Sequence, residues 1–174
     1  MRAISRVAAV TFASFGVWAC ASLPPLETVE HVDLERFMGD WYVIANIPTF
    51  LERDAHNAVE SYELQSDGTI ATTFTFRDGS FDGPTRTYTP RGFVASDSNA
   101  IWGMQFIWPI KADYRIVYLD ETYSTTVIGR NRRDFVWIMA REPHIPAARY
   151  QEISSMLGRV GYDVDAIQRV PQLW

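Results

Sequence analysis

Three histidines, one cysteine and a few carboxylates are the residues of this chain best suited to chemistry. His31, His56 and His144 lie far apart; no HxxxH pair and no Cys–His pair at ligand spacing occurs, so the pattern predicts no metal site. A glycine-rich phosphate loop and a Gly-x-Ser-x-Gly nucleophile elbow are both missing from the sequence, and no cofactor is expected. The pairs Asp33/Glu35 and Asp163/Asp165 stand where helices or turns begin, and Asp120 stands in a hairpin, so each reads as a backbone cap. Glu60 is different. Ala58, Glu60, Tyr62 and Leu64 share one face of a β-prone run, and Tyr62 and Leu64 read as inward-facing. That register puts a carboxylate on an inner wall, where it must find an Arg, a Tyr hydroxyl, water or a cationic ligand group. A bulge in the run would turn it to solvent instead.

Cys20 has a chemistry of its own. Arg2 and Arg6 precede an apolar run, Val7 to Trp18, that is shorter than the ~20 residues a membrane span needs and fits a secretory signal. The run closes in Val17-Trp18-Ala19-Cys20, which resembles the bacterial lipobox, where the thiol takes a diacylglyceryl group and the signal is cut before it. With Ala21 and Ser22 following, that resemblance implies an outer-membrane lipoprotein anchored to the bacterial membrane through acylated Cys20. Two or more acyl chains give stable attachment. The reading divides the chain into a signal peptide over 1–19, an acylated Cys and proline-bearing tether over 20–32, and one folded domain over 33–174.

The balance of charge narrows the partners. The formal net charge is −5, and −7 once Arg2 and Arg6 are removed, with no basic run to meet nucleic acid or anionic lipid faces. With Cys20 acylated no thiol is left for a disulfide, so packing must hold the domain together. Six Trp and ten Phe suit a β-rich fold or a cavity with broad apolar walls.

The elements that must position these residues are short and regularly spaced. Asp33 caps a helical turn, Gly39 turns the chain, and a β-run follows from Trp41 to Ile47. Further strands are expected over 57–64, 69–76, 86–94, 100–107, 112–119, 123–129 and 134–141, separated by Asp, Gly, Ser and Asn turns. Such spacing indicates a closed sandwich or barrel. Inward faces are read as Ile70, Thr72, Phe74 and Phe76; Trp102, Met104 and Phe106; Tyr114, Ile116 and Tyr118; and Phe135, Trp137 and Met139. Eight strands either pack solid or hold one small ligand, and the aromatic excess favours a ligand. Pro143 and Pro146 open a helix over 147–160, expected to pack on outward Val117 and Leu119, and a β-prone tail follows at 165–170.

Three matches in order then carry a resemblance. Gly39-Asp40-Trp41, Leu119-Asp120-Glu121 and Trp137-Ile138-Met139-Ala140-Arg141 resemble the three signature segments of the lipocalins, and Gly161-Tyr162-Asp163-Val164 resembles their bacterial outer-membrane branch, relatives of apolipoprotein D and the plant temperature-induced lipocalins. The resemblance implies an all-β, eight-stranded antiparallel up-and-down calyx with a C-terminal helix outside it, closed where Arg141 crosses Trp41. It implies a carrier of fatty acids or lysophospholipids, in some members a homodimer; with the sole Cys outside the barrel and no inward His, no enzyme is expected. The ligand would contact Glu60, Tyr62, Phe74, Phe76, Trp102, Met104, Phe106, Tyr114, Tyr118 and Trp137, with its headgroup at an open rim beside Glu60 or Tyr62. An isomerase-like enzyme on the same barrel and a structural lipoprotein with a filled barrel are the alternatives, separated by an inward nucleophile in the first and the lack of a cavity in the second.

Overall fold

The computed structural model describes residues 23–174; the signal-like stretch and Cys20 lie outside the described residues. Asp33 accepts a hydrogen bond from Arg36 N and starts the one-turn helix α1 (Leu34–Phe37). Gly39 follows at φ +94°, directly beneath the Arg141 guanidinium, where a side chain would meet both backbone strain and crowding. Antiparallel strands come next: β1 (Gly39–Ile47), β2 (Ala55–Leu64), β3 (Thr69–Asp78), β4 (Thr85–Tyr88), β5 (Arg91–Val94), β6 (Ile101–Ile107), β7 (Ile110–Leu119), β8 (Thr125–Gly129) and β9 (Val136–Ala140). Consecutive strands pair, except that β4 and β5 each pair with β3, and β9 returns to β1 and closes the barrel.

The strand expected over 86–94 is two pieces, both paired to β3. Pro90 lacks an N–H for the ladder, so pairing breaks there, and its carbonyl accepts Thr72 N instead. Counting β4 and β5 as halves of one strand, the barrel has eight. Turns 65–68, 95–100 and 120–124 lie at the α1 end; 48–54, 79–84, 107–110 and 130–135 lie at the other.

Two apolar clusters sit on opposite sides of the sheet. The inner one holds Phe37, Trp41, Val43, Tyr62, Ile70, Phe74, Phe76, Trp102 and Ile116. The outer one joins Ile153 and Leu157 of α2 (Ala147–Arg159) to Ile44, Val127, Val136, Ile138 and Ala140. The helix therefore covers mainly β8, β9 and β1. Val117 belongs to this outer cluster, but Leu119 packs inside, because β7 bulges between Ile116 and Tyr118 and reverses the alternation. Leu64, expected inward, is exposed at the end of its hairpin.

The ends of the described chain are both tied down. The stretch read as a free tether packs on the barrel: Val32 is fully buried in the inner cluster and Leu26 is buried in the outer one. Its backbone is held by Val29 N to Ile116 O and Val32 N to Ser98 O. The C-terminal tail does return to the sheet, as β10 (Gln168–Arg169) on β1. Beyond it Gln172 donates to the carbonyls of Val43 and Ala58, bridging β1 and β2 where their own pairing has ended.

Candidate ligand-binding site

The α1 end of the barrel is plugged. Trp41 is fully buried, its indole N–H donates to Phe37 O, and the guanidinium of Arg141 lies 3.8 Å from its ring. That guanidinium donates to the carbonyls of Arg36, Phe37, Met38 and Asp40. It therefore ties β9 to the α1 turn as well as stacking on the ring. Above Trp41, Phe37, Tyr62 and Trp102 pack with centroids 5.5–5.7 Å apart, and Trp102 stacks on Tyr114 at 5.0 Å. The hydroxyls of Tyr62 and Tyr114 share a hydrogen bond of 2.6 Å. Burial first, and the neighbouring Glu60 second, push both hydroxyls well above the usual tyrosine range, so this pair stays neutral.

Over this floor lies a cavity of about 340 Å³, within the range of small-molecule pockets. Phe74, Met104, Tyr114 and Trp137 form its walls, with Tyr88 from β4; Phe106, Ile107 and Phe135 rise toward the far rim, and Phe50 and Leu51 come over from the loop between β1 and β2. The apolar lining is broken by two carboxylates. Glu60 pairs across the ladder with Trp41, so it sits low, just above the floor. Burial raises its pKa to about 7; the nearby Tyr62 hydroxyl opposes that shift, and the charge of Glu52 adds to it. The surface it keeps belongs to the cavity.

Glu52 holds the loop. Its carboxylate accepts Thr49 N, Thr49 Oγ1 and the indole N–H of Trp137, at 3.0–3.2 Å. Burial pushes its pKa up, and those donors only partly offset the shift. Asn46 lies close enough to favour its ionised form, yet neither polar atom of the Asn46 side chain reaches hydrogen-bond geometry with any described residue. Arg130, at the mouth, pairs with Asp134 at 3.4 Å and leans on Phe135, while its Nε has no partner among the described residues. Among those residues no group of His, Cys, Asp or Glu is placed to hold a metal ion.

Comparison with known proteins bears on the fold that carries this slot. Residues 32–172 match the lipocalin-like domain. The chain belongs to the lipocalin family. It is 30% identical to the outer membrane lipoprotein Blc of Citrobacter freundii over 99% of this chain and 98% of that one. It is 28% identical to temperature-induced lipocalin-1 of Arabidopsis thaliana, covering 84% and 83% of the two chains. Among solved structures, the cockroach allergen Per a 4 superposes with a TM-score of 0.63 at 18% identity, over 87% of this chain and 96% of that one.

The lipocalin signature residues sit together at the closed end. Gly39, Trp41 and Arg141 form the stacked base, and Asp120 caps the β7–β8 turn through Ser124 N, Ser124 Oγ and Thr122 Oγ1. The residues expected on the ligand divide three ways. Glu60, Phe74, Met104, Phe106, Tyr114 and Trp137 line the slot. Tyr62 and Trp102 are in the floor, and Phe76 packs behind Phe74 and Tyr88. Tyr118 is outside altogether: the β7 bulge turns it to the helix, where its hydroxyl accepts Arg149 Nη1 at 2.6 Å. The expectation that Glu60 or Tyr62 meets a headgroup at the rim also fails, because both are near the base.

Several lining residues went unread in the sequence, Glu52, Thr49 and Tyr88 among them. Glu52 and Thr49 lie in a loop without periodicity, and only the fold brings them to Trp137. Tyr88 shared a run with Pro90, a proline that by itself should have split that strand.

Proposed function

We propose that this lipocalin is a membrane-anchored carrier of single-chain lipids, fatty acids or lysophospholipids, in the bacterial envelope. The observation that carries the reading is the slot itself, about 340 Å³ of aromatic and aliphatic wall closed below by Trp41, Tyr62 and Trp102. One acyl chain gains ~0.8 kcal/mol for each methylene it buries there. A second chain of a two-tailed phospholipid has no dry place to go. The naming of its relatives as outer membrane lipoproteins supports the anchoring through Cys20 and the location.

Orientation follows from the charges. The bottom of the slot is closed by aromatic rings, and an ionised Glu60 there repels an anionic headgroup, so the chain enters methyl end first. The headgroup then stays at the mouth, where Arg130 is among the lining residues. Below pH 7 Glu60 is neutral and tolerates the alkyl end above it; above pH 7 it ionises, and covering it with hydrocarbon becomes costly.

Titration with fatty acids and lysophospholipids of increasing length tests the reading. Affinity rises with chain length until the slot is full, and the fluorescence of Trp137, the indole in the wall, changes on binding. No fluorescence change, together with no lipid in native mass spectra of gently purified protein, rejects the carrier in favour of an empty or structural barrel.

A further inference from the structure

The open rim of the barrel carries the most exposed apolar side chains of the folded body. Ile107, Trp108 and Ile110 at the β6–β7 tip are 73%, 82% and 70% exposed, and across the mouth Phe50 is 78% exposed. Phe106, 53% exposed, joins the tip to the cavity wall. A hairpin tip of this composition, with a Trp at its apex, is not what a water-facing turn needs. Trp, apolar in body and polar at its N–H, suits the boundary between water and hydrocarbon.

An independent observation says which way this rim points. The N-terminal segment leaves the base at Val32 and runs along the outside of the barrel toward the mouth. Val29 N bonds Ile116 O, Leu26 N bonds Asn131 Oδ1, and Pro24 O accepts Arg133 Nη2 at the β8–β9 turn. Gly129 makes the track possible, since a Cβ there would fall 2.5 Å from Tyr162 Oη and 3.0 Å from Leu26 Cδ2. The chain is thus delivered to the open end. Cys20 is three residues before Leu23, a reach of about 10 Å at full extension. No long tether is left between anchor and mouth.

We infer that the barrel docks mouth-down on the bilayer, its Phe50 and Ile107–Ile110 rim seated in the lipid interface, so that a single-chain lipid passes between membrane and cavity without crossing water. The orientation rests on the acylation of Cys20 proposed above; the rim stands without it. The formal charge of −7 after signal removal argues for apolar seating over attraction to anionic headgroups. Trp108 and Ile110 lie outside the cavity lining, so they report docking separately from binding.

The test uses the full acylated protein in phosphatidylethanolamine–phosphatidylglycerol vesicles whose acyl chains are brominated near the headgroup. Bromine quenches the wild type, and Trp108→Phe removes most of the quenchable emission. Trp108→Ser/Ile110→Ser slows uptake of a fluorescent lysophosphatidylethanolamine from vesicles about tenfold, the loss expected when two interfacial apolar side chains are removed. Its affinity for the same lipid supplied as monomer in solution equals that of the wild type. Equal quenching of wild type and Trp108→Phe, or unchanged uptake, overturns docking. So does a rim-to-rim dimer, seen as a sedimenting pair that the double variant dissociates while Trp108 stays silent to bromine. Failure to bind the monomeric lipid, with Trp108 still quenched, removes the carrier reading and leaves the docking standing.

Discussion

At the closed end of the barrel, Asp120 accepts three hydrogen bonds from Ser124 and Thr122; burial pushes its pKa up, but those donors outweigh it and hold the carboxylate below its usual range. In the cavity leading to the open end, burial drives Glu60 to about 7, and no comparable set of donors brings it back. The same contrast holds for the aromatic groups. Trp41 and Arg141 are stacked and hydrogen-bonded at the base, whereas Trp108 and Phe50 stand in solvent at the open rim. The barrel concentrates its stability at one end and its binding capacity at the other.

Variants can break this division, beginning with the largest effect. Trp41→Ala removes a fully buried indole from the base and is expected to cost ~3–5 kcal/mol in chemical denaturation. If it instead left stability intact and abolished lipid binding, the base would belong to the site.

Glu60→Gln should act in the opposite sense, raising stability, and only at higher pH. The folded-state value lies above the 4.5 of a free glutamate, so between pH 4.5 and about 7 the unfolded chain gives up a proton that the folded chain keeps. Stability therefore falls as pH rises through that window and stays lower above it, by roughly 3 kcal/mol at 1.36 kcal/mol per unit. Glu52, also raised, adds a fall of the same sign. Thermal melts of the wild type from pH 5 to 8 should decline, and those of Glu60→Gln should decline less. The gap between the two should open only above pH 5. A constant gap at all pH values would mean that packing, not ionisation, separates them.

Arg141→Lys keeps the charge but loses the planar face over Trp41 and several of its donors, and is expected to cost about 2 kcal/mol. Lipid affinity measured well below the melting point should be unchanged. Smallest, Trp137→Phe keeps the cavity wall and removes the N–H that Glu52 accepts, costing about 1 kcal/mol. It should raise the pKa of Glu52 further and make the 48–54 loop exchange amide hydrogens faster, with the fluorescence response to lipid lost. Slower loop exchange would show that Glu52 is held by Thr49 alone.

The base of the barrel was legible because its information is local or periodic. Asp33, Gly39 and Trp41 spell a cap, a turn and a strand within nine residues, and Trp137 to Arg141 alternate as a strand must. Eight short strands, the helix at 147–159 and the inward faces of β3 and β6 follow from turn residues and period-two patterns alone. What the sequence could not determine lies where the pattern is broken or the partners are remote. A single bulge at Val117 sent Tyr118 out and Leu119 in, because one extra residue reverses every side chain beyond it and leaves no mark in composition. Register across strands set the depth of Glu60, since alternation tells which side a residue faces but not how far along the barrel it lies. The meeting of Glu52 with Trp137, and of Leu26 and Pro24 with Asn131 and Arg133, joins residues 85 to 109 positions apart. Only closure of the barrel brings such residues together, and with them the loop over the cavity and the course of the chain to its mouth.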